Sequence, residues 1–433
     1  MSKFIAQPAN TLSGTLKVPG DKSISHRCIM LGSLANGVTE VSGFLQGEDA
    51  LATLKAFQLM GVKIERQEDK VTIHGVGLHG LSQPNVPLDL GNSGTSMRLI
   101  SGILAAQAFD TELVGDVSLS QRPMGRVINP LTEMGAVIES NAGKPPLKIR
   151  GGQSLVAIDY DLPVASAQVK SCVLLAGLYA QGQTCVNEPE TTRDHTERML
   201  NGFDYPVHTH AKKICLTGGG ALTATKIQVP SDISSAAFFM VAACIAPQAD
   251  ITLMGVNINP TRTGVIDILQ LMGGNLTVSN EREIGGELLA DIRIQSSDLQ
   301  GIEIPKNLIP LAIDEFPAIF IAASCAIGET VLTNAKELRV KESDRIQVMA
   351  DGLNILGIEN TVLEDGIKIQ GGVFSKPSGT IESHHDHRIS MSFAIASLRC
   401  KHAIEINGVD NVKTSFPNFV ALANSAGMNL VEI

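Results

Sequence analysis

Apolar positions along the chain follow two alternating periods. In EDALATLKAFQLMG, residues 48–61, Leu51, Leu54, Phe57 and Met60 recur every three positions, as on one face of an amphipathic helix. Glu48 and Asp49 sit in its first turn, where acids suit the helix dipole. Just before it, VTEVSG alternates apolar and polar residues like a strand, and SISHRCIMLGSLANG reads as a helix ended at a glycine. The same order returns along the chain: a small or polar start, an apolar helix, a short strand, and a second helix ending near Gly. The fifth copy supplies PAIFIAASCAIG, ETVLTNA and KESDRIQVMADGLNILG, the last predicting a helix that includes both Lys341 and Arg345.

The first helices are expected to begin near Ser23, Thr95, Ala167, Ser234, Phe316 and His387, at intervals of 72, 72, 67, 82 and 71. The second helices end near Gly61, Gly135, Gly202, Gly273, Gly357 and Gly427, at intervals of 74, 67, 71, 84 and 70. Both series stretch at the same step, as a true repeat would. Six α/β units in 433 residues exceed one ordinary core and suggest two domains of three units each. Generic α/β alternation is the plainer alternative.

Composition narrows the class. The net charge of −10 excludes a general nucleic-acid binder, but a local cationic pocket for a small anion remains open. Seven scattered cysteines without C-x-x-C spacing predict reduced thiols in a cytosolic protein. The first residues, MSKFIAQPAN, lack a signal-peptide core. The most apolar run, AAFFMVAACIAP at 236–247, is too short to span a bilayer and predicts a buried helix. A soluble, cytoplasmic protein is expected.

Against that acidic background the cations cluster at predicted helix starts. VPGDKSISHR puts Lys22, Ser23 and Arg27 at the first helix, LGNSGTSMR opens copy two, VASAQVK copy three, DEFP copy five and HHDHR copy six. SQRPMG adds Arg122, TTRDH adds Arg193, and RVKESDR adds Lys341 and Arg345. Unpaired N–H groups at a helix start bind phosphate or carboxylate, and Arg adds a bidentate fork. The P-loop pattern does not fit: Asp21 separates Gly20 from Lys22, and Thr15 stands where the first Gly should be. Singly, each feature has a plain reading. Ser23/Arg27 and Lys341/Arg345 could be exposed i,i+4 pairs, GNSGTS a capped turn, and Asp314 and Glu342 capping acids. HHDH lacks an H-x-x-x-H partner and argues against a metal site.

Together, GDKSISHR, LGNSGTSMRL, QRPMGRV, SAQVK, DEFP, RVKESDR, HDHR and TSFP resemble, in order, the 5-enolpyruvylshikimate-3-phosphate synthase family over nearly the whole chain. The resemblance implies two similar inside-out α/β domains, each of three β-α-β-α-β-β repeats, here residues 15–229 and residues 1–14 plus 230–433. It implies an active site in the interdomain cleft, no cofactor or metal, no nucleic-acid or membrane partner, and a monomer. The implied substrates are shikimate 3-phosphate and phosphoenolpyruvate.

Carried over by motif, Lys22 lies between both substrates, while Ser23, Arg27, Ser166, Ala167 and, less securely, Arg193 hold shikimate 3-phosphate. Gln168 lies beside both ligands. Gly94 allows close approach to phosphoenolpyruvate, which Arg122, Arg345 and Arg388 grip. Asp314 faces the shikimate hydroxyls as base, Lys341 helps bind that ligand, and Glu342 with Lys22 carries the proton at C3. Asn92 and Glu337 are further candidates. One departure concerns the C-terminal T-F-P motif: some members carry Lys two residues before Phe, where Thr414 stands here, and Lys413 lies one further away. The nearest rival is the sister transferase acting on UDP-N-acetylglucosamine. It has Lys-Asn in place of Lys22-Ser23 and commonly a loop Cys, which GDVSLSQRPMG lacks. A non-catalytic phosphate binder would not need Asp314 and Glu342.

Overall fold

The computed structural model describes residues 2–374 and 379–433. Twelve α-helices among them fall into six pairs: α1 (Lys22–Leu34) and α2 (Glu48–Leu59), α3 (Gly94–Leu104) and α4 (Gly125–Glu133), α5 (Ala167–Gly177) and α6 (His195–Gly202), α7 (Ile233–Ile245) and α8 (Gly264–Leu271), α9 (Phe316–Cys325) and α10 (Arg345–Leu356), α11 (His387–Ala396) and α12 (Phe419–Ser425). The six-fold repeat is therefore present, with first helices starting within a residue of the expected positions.

The chain divides into two compact units. One, here the inserted unit, is Gly20–Val229 with Ile284–Glu287; the other, the split unit, is the chain up to Pro19, Pro230–Glu283 and Leu288–Ile433.

In the inserted unit each helix pair carries its own sheet. In the middle copy, Leu88–Asp89 runs parallel to Thr111–Val114, which pairs antiparallel with Lys144–Arg150, and that strand with Val137–Asn141. The third copy repeats this with Asp159–Asp161, Gln183–Asn187, Lys213–Thr217 and His208–His210. In the first copy the parallel strands beside Ala35–Ser42 come from the unit's far end, Leu222–Thr223 and Lys226–Gln228. In the split unit, Thr11–Leu16 pairs parallel with Gln248–Asn257, and Thr380–Glu382 with Ile404–Asn407. Lys3–Gln7 lies between Ile404–Asn407 and Asn429–Glu432.

Helices form the interior of each unit. Every residue of α7 and α11 is buried, and α7, apolar nearly all round, has found partners on all sides. The outer hairpin strands alternate buried and exposed residues, as in Lys144–Arg150, because one face packs on those helices and the other meets water.

Three expectations need correction. The first helix of copy one ends at Leu34, because Ala35 is already extended and joins the sheet. The second helix of copy five begins at Arg345, where Asp344 accepts the Gln347 N–H at 3.1 Å and caps it. Lys341 lies outside it, so Lys341 and Arg345 are not an i,i+4 pair. Finally, the seven cysteines were expected to be reduced, yet Cys185 and Cys215 are joined. They face one another in register on adjacent antiparallel strands, a closeness that sequence spacing cannot reveal. The remaining five are free thiols.

Candidate active site

Of the fourteen expected site residues, nine lie in the inserted unit and five in the split unit. Within the inserted unit, three buried helices begin with short polar caps. Asp21 accepts from Ile24 N–H at 2.9 Å, Ser93 from Ser96 N–H at 3.1 Å, and Ser166 from Val169 N–H at 3.4 Å. The α3 and α5 starts are capped by serines and have no acid in the first turn, so their positive ends are not neutralised there, whereas α1 carries the carboxylate of Asp21 at its cap.

Around those ends the structure gathers most of the expected residues. Lys22 Nζ lies 3.2 Å from Asp49 on α2. Arg27 is buried and donates to Thr196 Oγ1 at 2.7 Å, Ser171 Oγ at 2.8 Å and the Ser23 carbonyl at 2.9 Å. Burial lowers its pKa to about 10, partly opposed by Glu197, and the charge of Arg193 also reaches it. Arg27 thus stays cationic at neutral pH while held by neutral acceptors. A methyl group on Gly94 would lie 2.9 Å from Arg98 Nη1 and 3.2 Å from Arg122 Nη1. Arg98 donates to Gln168 Oε1 at 2.6 Å, and Gln168 Nε2 donates to Thr95 Oγ1 at 3.0 Å. Arg122 donates to Asn92 Oδ1 at 2.7 Å. Gly94, Asn92, Arg122 and Gln168 therefore form one neighbourhood, with Ser166 and Ala167 at the start of the helix that bears Gln168.

Two buried groups support this half from behind. His26 Nδ1 lies 2.8 Å from Thr53 Oγ1 and 3.3 Å from Ser96 Oγ. Burial, with Lys22 and Arg27 nearby, drops its pKa to about 3, so it is a neutral link. Lys170, on α5, is buried between Glu188 at 3.2 Å and Glu197 at 2.7 Å, and binds the Thr192 carbonyl next to Arg193. Burial raises the Glu197 pKa, with Lys170 opposing it.

The split unit is built differently. Arg345 opens α10, and its buried guanidinium meets three carboxylates: Glu342 at 2.7 Å, Asp386 at 2.9 Å and Asp314 at 3.5 Å. Burial works to lower the Arg345 pKa, but Asp386, Glu342 and Asp314 outweigh it and raise it. Asp386 moves the opposite way: burial raises its pKa, but Arg345 prevails and lowers it. Asp314 also lies 3.3 Å from Lys341. Asp386 accepts the Arg388 N–H at 2.9 Å and so caps α11. His384 and His385, with φ of 52° and 58°, take left-handed conformations just before it. Such strain persists where the surroundings fix the backbone. The expected set Asp314, Lys341, Glu342 and Arg345 is thus one ion network, and Asp386, which belongs to it, also accepts the backbone N–H of Arg388.

Elsewhere, Glu337 lies in the 3-10 turn Lys336–Val340, and Lys413 pairs with Glu432 at 3.0 Å. Sequence reasoning gave no role to Arg98, Ser171, Thr196, Lys170, Asp386, Glu315 or Arg262. The signal was present for some: Arg98 follows Gly94 by one helical turn, and Glu315 adjoins Asp314.

The profile of the family described as EPSP synthase (3-phosphoshikimate 1-carboxyvinyltransferase) matches residues 6–422. The chain belongs to the EPSP synthase family. Among curated relatives, the 3-phosphoshikimate 1-carboxyvinyltransferase of Ruthia magnifica is 77% identical over 430 residues, covering 99% of both chains. That of Hydrogenovibrio crunogenus is 61% identical, covering 100% of this chain and 98% of its own. Among solved structures, EPSP synthase from Acinetobacter baumannii is 60% identical with a TM-score of 0.90, covering 100% of both chains. The enolpyruvyl transferase NikO from Streptomyces tendae has a TM-score of 0.82 at 14% identity, covering 100% of this chain and 99% of its own, a likeness of fold alone. Membership of the EPSP synthase family carries the two-part enolpyruvyl transferase fold with it. No helix among the described residues is long and apolar enough to cross a membrane.

Proposed function

We propose that the two charged sets perform, in this chain, the reaction for which its family is named. The enolpyruvyl group of phosphoenolpyruvate is transferred to the 5-hydroxyl of shikimate 3-phosphate, and phosphate is released. In this reading the domains are residues 15–229 and residues 1–14 plus 230–433, and the enzyme works as a cytoplasmic monomer in aromatic amino-acid biosynthesis.

Ser23, Arg27, Ser166, Ala167 and Arg193 hold shikimate 3-phosphate, with Gln168 and Lys22 beside both ligands. Gly94 allows close approach of phosphoenolpyruvate, and Arg122, Arg345 and Arg388 grip it. Asp314 takes the proton of the 5-hydroxyl as that oxygen bonds to C2, while Lys341 neutralises the neighbouring charge. C3 gains a proton through Glu342 and Lys22, giving a tetrahedral adduct. Loss of a proton from the new methyl group and cleavage of the C2–O bond to phosphate then form the product. Positioned acids and bases carry the protons, and fixed cations stabilise the charge as it moves.

One observation carries the reading beyond anion binding: Arg345 holds Asp314 and Glu342 within 3.5 Å of a single buried guanidinium. A passive phosphate binder would not need two carboxylates on the same cation as proton carriers. The test is inorganic phosphate release from phosphoenolpyruvate with shikimate 3-phosphate or UDP-N-acetylglucosamine as acceptor. Release only with shikimate 3-phosphate supports the reading; release only with the nucleotide sugar, or with neither, overturns it.

A further inference from the structure

Arg388 is nearly buried, with its side chain 10% exposed, yet its guanidinium makes no hydrogen bond among the described residues. Its one ionic neighbour there is Glu315, whose Oε1 lies 3.7 Å from Arg388 Nη1. Glu315 is itself buried at the start of α9, next to Asp314. The same oxygen accepts a close hydrogen bond from Ser234 Oγ and lies 3.7 Å from Arg262 Nη2. Arg262 is 2% exposed, donates to Ser234 Oγ at 2.7 Å, and lies 3.5 Å from Asp232. The other oxygen of Glu315 has no hydrogen-bond partner among the described residues.

This arrangement has a purpose that a simple buried ion pair would not serve. A fork-to-fork salt bridge would occupy the N–H groups of Arg388. At 3.7 Å the carboxylate balances the charge while leaving those donors unspent. Without it, the Arg388 and Arg262 guanidinium groups would lose the carboxylate oxygen that both approach at 3.7 Å, and the repulsion between them would favour displacement of Arg388. We infer that Glu315, held by Ser234 and Arg262, is a positioning residue that keeps Arg388 in place with its donors available to phosphoenolpyruvate. The inference rests on the assignment of Arg388 to that ligand given above.

The sign of the effect separates positioning from plain electrostatics. Removing a negative charge should tighten an anion if Arg388 stays put, and weaken it if Arg388 moves. Glu315→Gln is expected to raise the KM for phosphoenolpyruvate about tenfold or more, as small misplacements of a clamp do. The KM for shikimate 3-phosphate should change less than about twofold.

Because removing the Glu315 charge from beside buried Arg262 destabilises the fold, the double variant Glu315→Gln/Arg262→Gln is made in parallel, removing both partners. It should melt closer to wild type than the single variant while its phosphoenolpyruvate KM stays high. Arg388→Gln serves as the reference arm. If Arg388→Gln raises the phosphoenolpyruvate KM but Glu315→Gln leaves it unchanged or lowers it, the inference is wrong and the assignment of Arg388 stands. If the double variant recovers stability and KM together, Glu315 only balances Arg262, and the inference again fails. If Arg388→Gln has no effect on that KM, the assignment of Arg388 falls and takes the inference with it.

Discussion

The two units carry equal repeats but hold the arginines of their candidate sites differently, although Lys22 of the inserted unit also meets a carboxylate, Asp49. In the inserted unit, Arg27 is held by two hydroxyls and a carbonyl, Arg122 by an amide, and Arg98 by another amide. In the split unit, Arg345 is held by three carboxylates and Lys341 by a fourth contact to Asp314. Neutral acceptors leave positive charge to be satisfied by a ligand, which suits phosphate binding. Carboxylates cancel that charge but can take up and give back protons. The difference teaches that arginines assigned to one anion can be held by neutral acceptors or by carboxylates, and that only the second arrangement brings groups able to carry protons.

The sharpest way to break this contrast is to remove a carboxylate from the network. Asp314→Ala should still bind both ligands by calorimetry yet lose turnover by a factor of about a hundred or more. Near-normal turnover would take Asp314 out of its role.

A second test addresses the neutral design of the inserted unit. His26 must remain uncharged in the fold, with its pKa lowered from 6.5 to about 3. The unfolded chain takes up that proton first, so stability should fall as pH drops below about 6.5 and continue falling towards pH 3. At pH 5 the loss from this one group is of order 2 kcal/mol. Urea midpoints at pH 7 and pH 5 should differ less in His26→Gln than in the parent chain.

Smaller effects sharpen the picture of capture. Ser171→Ala removes one acceptor from buried, charged Arg27 and should cost about 1.5 kcal/mol, read as roughly a tenfold rise in the shikimate 3-phosphate KM. An equal rise for phosphoenolpyruvate would contradict the division of ligands. Gly94→Ala places its methyl 2.9 Å from Arg98 Nη1 and 3.2 Å from Arg122 Nη1, both flexible ends. The fold should tolerate it, with the phosphoenolpyruvate KM rising about threefold from a slight shift of two guanidinium groups.

Much of this was legible in the sequence. Glycine stops and helical apolar stripes located all six helix pairs, because both signals are local. Lys22, Gly94, Gln168 and Arg345 stood out because motifs at helix starts are local too. What escaped depends on register and tertiary contact. Cys185 meets Cys215 only through the pairing of two strands, and Thr196 meets Arg27 across 169 residues. Lys341 left its expected helix because Asp344, three residues later, is the better cap. Glu315 was visible as a letter in DEFP, but its tie to Arg262 and Arg388 exists only once α9 and α11 are packed.

The central claim is that cations of both designs serve one phosphoenolpyruvate. Steady-state phosphate release by Arg122→Lys and Arg388→Lys tests it most directly, since each keeps its charge and loses its fork. The account predicts that both variants raise the KM for phosphoenolpyruvate about tenfold and leave that for shikimate 3-phosphate within about twofold. A variant of either arginine that instead weakens shikimate 3-phosphate, or that changes neither constant, would contradict it.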